Sequence, residues 1–136
     1  MQVQPYLFFD GRCEEALEFY KKALGAEVTM LMRYKDAPPS EPGAQPHVSP
    51  DKIMHASMRI GDTVVNASDG HCTGQPSFKG FANSLVTDSG PQAEKFFAAL
   101  SDGGKVQLPM TKTFFSSHFG MLEDRFGVGW MVLVMS

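Results

Sequence analysis

Cysteine is scarce: Cys13 and Cys72 are the only two, far apart, with neither a CxxC nor a paired Cys/His spacing. That supports neither a disulfide framework nor a structural zinc site, and two small buried or half-buried thiols are expected. Long apolar runs are missing as well, none approaching the ~20 residues that span a bilayer. The opening Met1-Gln2-Val3-Gln4-Pro5 lacks the basic-then-apolar order of a secretory signal. A cytoplasmic location and no membrane partner are therefore expected. There is no basic surplus either. Twelve Lys and Arg against 15 Asp and Glu give a net charge of -3, and no local basic cluster offsets it, which argues against a nucleic-acid partner. No Gly-x-Gly-x-x-Gly follows the first strand, and 136 residues leave a doubly wound nucleotide-binding domain cramped.

What is present is an ordinary globular balance, 43% hydrophobic and 20% charged, unlike that of a disordered chain. Eleven Phe and nine Met stand out; such residues fill cores, line adaptable pockets and cover dimer faces.

Tyr6 to Phe9 reads as a strand ending at the turn pair Asp10-Gly11. From Cys13 to Leu24, Ala16, Leu17, Tyr20, Ala23 and Leu24 recur at helical spacing, with Glu14 and Glu15 at the start and Gly25 at the stop. Ala26 to Tyr34 resumes as a strand. Residues 36–51 hold five prolines and almost no large apolar side chain, the mark of a long loop. Ile53–Ile60 and Thr63–Ser68 follow as a hairpin about Gly61-Asp62. The order then repeats. Phe81–Thr87 is a strand, and Pro91 opens a helix with Ala93, Phe96, Phe97 and Leu100 inward, stopped by Gly103-Gly104. Lys105–Leu108, Phe114–Leu122 and Val128–Val134 complete the set. Phe19-Tyr20 is echoed by Phe96-Phe97, an offset of 77 residues, just over half the chain. The expectation is an α+β fold of two βαβββ modules, about 1–72 and about 79–136, in one domain.

This ordered set resembles the vicinal oxygen chelate superfamily of glyoxalases, bleomycin-resistance proteins and dioxygenases, in its PhnB-like branch. The matching text is Pro5-Tyr6-Leu7-Phe8-Phe9-Asp10-Gly11, Ala16-Leu17-Glu18-Phe19-Tyr20, Leu24-Gly25-Ala26-Glu27, His55-Ala56, Ser68-Asp69-Gly70, Phe119-Gly120 and Asp124-Arg125-Phe126-Gly127-Val128-Gly129-Trp130-Met131. The resemblance implies half-barrel modules around a pocket and pairing into a homodimer. It also implies, in metal-dependent members, a divalent ion held from the first and last strands of each module. Carried onto this chain, those positions are Pro5, Asn66 (or Ser68), Ala82 and Met131, of which only Asn66 offers even a neutral oxygen.

Alternation puts His55, Ser57 and Arg59 on one face of their strand, which is either solvent-exposed sheet or the wall of a pocket; Asn66 and Ser68 share a face of the next strand. His118, with Phe115 and the neighbouring serines, is a second candidate, either for ligand recognition or as a solvated strand end. Trp130 is core or a helper to a pocket. The candidate ligand set is thus His55, Ser57, Asn66, Ser68, Phe115, His118 and Trp130, with His55 and His118 as candidate bases. A shifted metal site would draw on His55, His118 and Glu123. His47, His71 and Cys72 are expected to be solvated or inert. The sequence points to a small-molecule binding protein without the usual metal ligands. The alternative is a lyase, isomerase or dioxygenase-like enzyme using shifted metal ligands or a histidine base.

Overall fold

The structure, a computed structural model, describes residues 1–37, 49–70 and 76–135. His47, His71, Cys72 and most of the 36–51 loop lie outside them. The chain divides into two units, Met1–Pro76 and Ser77–Ser136, each with one helix on a four-stranded mixed sheet.

In the first unit the apolar stripe of helix α1 (Cys13–Leu24) is buried as its spacing requires, at Ala16, Leu17, Tyr20, Ala23 and Leu24. Gly25 ends it at φ 68, and the amides of Gly25 and Ala26 bond back to Lys21 and Tyr20 carbonyls. Strands β1 (Tyr6–Phe8), β2 (Glu27–Arg33), β3 (Ile53–Ile60) and β4 (Thr63–Ser68) form a sheet in the order β1-β4-β3-β2. The β1–β4 pair is parallel and the other two pairs are antiparallel. Leu7, Ala56, Met58, Val65 and Ala67 alternate onto one face and are buried there. Arg33, at the end of β2, grips both carboxylate oxygens of Glu14 at 3.1 and 2.6 Å. This bond holds the Glu14 carboxyl below the usual carboxylate range.

The segments around this sheet are tied together by one side chain. Asp69, 4% exposed, accepts the amides of Gly11 and Cys13 on Oδ1, at 2.7 and 2.9 Å, and that of Ile53 on Oδ2 at 2.9 Å. A single carboxylate therefore joins the end of β4 to the β1–α1 turn and to the start of β3. Burial pushes the neighbouring Cys13 thiol far up, and the Asp69 and Glu14 charges add to it; the thiol is an inert core group.

The second unit repeats the plan with β5 (Asn83–Thr87), α2 (Gly90–Ser101), β6 (Lys105–Thr111), β7 (Phe119–Glu123) and β8 (Gly129–Val134), ordered β5-β8-β7-β6. Ser89 caps α2 by accepting the Gln92 amide, with Pro91 in the first turn. Phe97 packs so closely on β7 that a Cβ at Gly120 would lie 2.6 Å from its ring. Asp124 shapes the β7–β8 turn, accepting the Phe126 and Val128 amides and the Trp130 indole N–H.

Strand bounds differ from expectation in this unit. β5 starts at Asn83 instead of Phe81, and β6 runs past Leu108 to Thr111, carrying Pro109 because an edge strand tolerates one. The expected strand from Phe114 starts only at Phe119. Thr113 takes the Phe115 and Ser116 amides on its hydroxyl and donates its own amide to the Ser116 carbonyl, so the chain turns there. Among the described residues, no helix is long and apolar enough to cross a membrane.

Asp69→Ala strands three amides at once, two of them buried, and a loss of about 3–5 kcal/mol is expected from the cost of unsatisfied donors. Urea denaturation reads it; a loss under about 1 kcal/mol would show that water replaces the carboxylate freely.

Candidate functional site

The face of the first sheet opposite α1 carries the polar side chains. Tyr6, Asn66, Ser57 and Met30 are paired in register across β1, β4, β3 and β2, and His55 with Met32 forms the next row. The Ser57 hydroxyl donates to Asn66 Oδ1 at 2.7 Å, and Asn66 Nδ2 donates to Gln4 Oε1 at 3.0 Å. Tyr6 Oη and His55 Nδ1 share a hydrogen bond of 3.0 Å. Since β1 and β3 flank β4, roughly two strand spacings (about 9.5 Å) apart, the tyrosine crosses over β4 to reach the histidine. Ser68 lies on that strand, 1% exposed, with its hydroxyl accepting the Gly70 amide. Tyr6 remains 38% exposed, its ring centroid 4.8 Å from that of Phe8 and 5.5 Å from His55.

His55, Ser57 and Asn66 are thus brought together, and Ser68 is on the same strand but covered. Tyr6 and Gln4 belong to the group although strand alternation alone did not nominate them. The signal that finds them is the parallel β1–β4 register, a non-local pairing.

In the second unit the candidates go to separate places. Trp130 is 3% exposed in the core, its indole held by Asp124. His118 sits over the first residue of α2: a Cβ on Gly90 would lie 2.4 Å from the imidazole. Its Nδ1 meets Ser117 Oγ at 3.1 Å, and its Nε2 lies 3.6 Å from Glu94. Phe115 stacks edge-on against Phe114 and Phe119 in the turn before β7. His118 precedes β7 and Glu123 ends it, so about 17 Å of strand separates these two. Among the described residues, no group of three or more His, Cys, Asp or Glu gathers to hold a metal ion.

Positions carried over from one module to the other need a shift. Both helices have 12 residues and start 77 apart, at Cys13 and Gly90. The rows Leu7–Ala67–Ala56 and Leu85–Val132–Gly120 correspond instead at an offset of 78 in the first strand. The β1–α1 turn is one residue longer, with Asp10 and Gly11 both at positive φ. Tyr6, not Pro5, consequently shares the row of Asn66, and the Pro5 carbonyl is taken by the Asn66 amide. Ser84 is the counterpart of Tyr6, beside Met131 and Met121.

A family model described as 3-demethylubiquinone-9 3-methyltransferase matches residues 1–133. Protein YjdN of Escherichia coli (strain K12) is 31% identical over 99% of this chain and 96% of its own. Protein PA1353 from Pseudomonas aeruginosa is 40% identical with a TM-score of 0.87, covering 99% of this chain and 98% of its own. A PhnB protein from Bacillus cereus is 20% identical with a TM-score of 0.79, over 98% and 99%. A glyoxalase/bleomycin-resistance/dioxygenase domain from Frankia shares the fold at 12% identity and a TM-score of 0.65.

Tyr6→Phe removes one exposed hydrogen bond and is expected to cost no more than about 1 kcal/mol, while moving the His55 Nδ1 resonance in long-range proton–nitrogen spectra. An unmoved resonance would show that the phenol does not hold the imidazole in solution.

Proposed function

Because the chain belongs to the 3-demethylubiquinone-9 3-methyltransferase family, in its PhnB-like branch with the vicinal oxygen chelate fold, we propose that it binds a small polar or aromatic molecule in a half-barrel pocket walled by the first sheet. The observation that carries this is the polar and aromatic face of Tyr6, His55, Ser57 and Asn66. Sites for small molecules combine ring surfaces with a few oriented polar groups. Methyl transfer, named in the family description, finds no support in the residues, which include no glycine-rich loop after the first strand.

The positions that the resemblance implies for a metal fall, on the strand register, at Tyr6, Asn66, Ser84 and Met131, and their chemistry supports binding without a divalent cation. Tyr6 and Ser84 offer neutral hydroxyls in place of an imidazole or carboxylate, and the phenol is bonded to His55. Met131 offers a soft thioether, and Asn66 a single neutral amide oxygen that also accepts from Ser57. The proposed binding therefore proceeds through hydrogen bonds and ring contact. A second reading, an enzyme with His55 as general base, is favoured by the phenol that orients its imidazole. Under that reading Tyr6 positions the base, and His55→Ala abolishes turnover of whatever ligand is found.

Ligand-observed NMR against a library of small aromatic and polar compounds tests the binding. Saturable hits are expected, weakened at least tenfold by Tyr6→Ala or His55→Ala. No saturable hit, or hits indifferent to both substitutions, would overturn the proposal. We also propose a cytoplasmic homodimer. The open face of the second sheet is mainly apolar, with Val86 and Leu108 exposed beside Met121 and Met131 and with Ser84 among them, as expected of a surface that meets a second copy. Light scattering at micromolar concentration should read twice 14.9 kDa; the monomer mass would reject the dimer.

A further inference from the structure

Counting hydrogen-bonding capacity on the first sheet narrows the ligand. The Asn66 amide has two N–H donors and two acceptor sites on its oxygen. Ser57 takes one acceptor site and Gln4 one donor. One N–H and one lone pair remain on the same planar group, a donor–acceptor pair complementary to another amide. Its register neighbour is the exposed Tyr6 ring, backed by Phe8 and His55. Met30 and Met32 flank the other side, polarizable side chains that favour ring contact.

Charge is balanced on this face. Among the described residues of β1, β3 and β4 that share it, Arg59 alone is charged, and Glu27 meets it in an ion pair of 2.5 Å. Neither an anion nor a cation finds an unmatched partner here.

Resting on the binding function proposed above, we infer that the ligand is an uncharged planar ring bearing a lactam edge, an adjacent N–H and C=O in one ring. It stacks on Tyr6 and pairs through its edge with Asn66. Tyr6 supplies ring contact and Asn66 supplies selectivity, because a ring without the edge leaves the remaining amide groups unpaired.

Bicyclic probes separate these roles. In titrations followed by amide chemical shifts on the full chain, 2-quinolone should bind saturably and move the Tyr6, Ser57 and Asn66 resonances. N-methyl-2-quinolone, whose donor is blocked, and naphthalene, which has no edge, should bind at least tenfold more weakly. Asn66→Ala should erase the preference for 2-quinolone over its N-methyl derivative while Tyr6→Ala weakens both. The ligand pair gives this comparison in the unaltered protein, so the test survives a variant that fails to fold. Equal binding of the two quinolones, or a preference that persists in folded Asn66→Ala, overturns the lactam assignment and leaves the broader binding function standing. Absence of saturable binding by all three probes also overturns it, and the compound library then decides the broader function separately.

Discussion

A buried carboxylate that accepts three backbone amides is a demanding arrangement, and the first unit is organised around one. Asp69 has two oxygens, enough to hold the Gly11 and Cys13 amides together on one and the Ile53 amide on the other. A serine or threonine would supply a single oxygen, with two lone pairs for three amides. The strands that Asp69 connects to β4 are the two that flank it. Their spacing is the distance the Tyr6 side chain crosses to reach His55. The position of the site therefore depends on a residue that does not take part in it. The same negative charge, after burial, also keeps the Cys13 thiol protonated.

How much of this could be read from the sequence follows from how local each signal is. The limits of α1, β3 and β4 coincide with expectation because caps, alternation and the Gly61-Asp62 hairpin are written in adjacent residues. The family, the fold class and the common face of His55 and Ser57 were legible for the same reason. In the sequence Asp69 stands only as part of Ser68-Asp69-Gly70, since its partners lie 58, 56 and 16 positions away in the chain. Alternation alone does not single out Tyr6, because a parallel pairing leaves no mark on short-range pattern. In the second unit, two hydroxyl side chains, Thr113 and Ser116, fold back a segment that otherwise reads as strand.

The two units share a plan and differ in chemistry. Their sheets have the same strand order and the same parallel pair. One open face presents Tyr6, His55, Ser57 and Asn66; the corresponding face of the other presents Ser84, Val86, Met121 and Met131. The surplus of Phe and Met is divided accordingly. Phe9, Phe78, Phe119, Phe126 and Met58 fill interiors, whereas Met30 and Phe114 stay exposed.

The additional residue in the β1–α1 turn has a consequence for how such a duplicated protein changes over time. Losing it would leave the helix and three of the four strands in place and transpose β1 by one position. Pro5 and Leu7 would turn outward and Tyr6 would enter the core. A single codon inserted or deleted at that turn can therefore exchange the chemistry of one half of the molecule while its architecture is inherited intact. Alignments that match the halves through their helices assign the strand residues to the wrong faces.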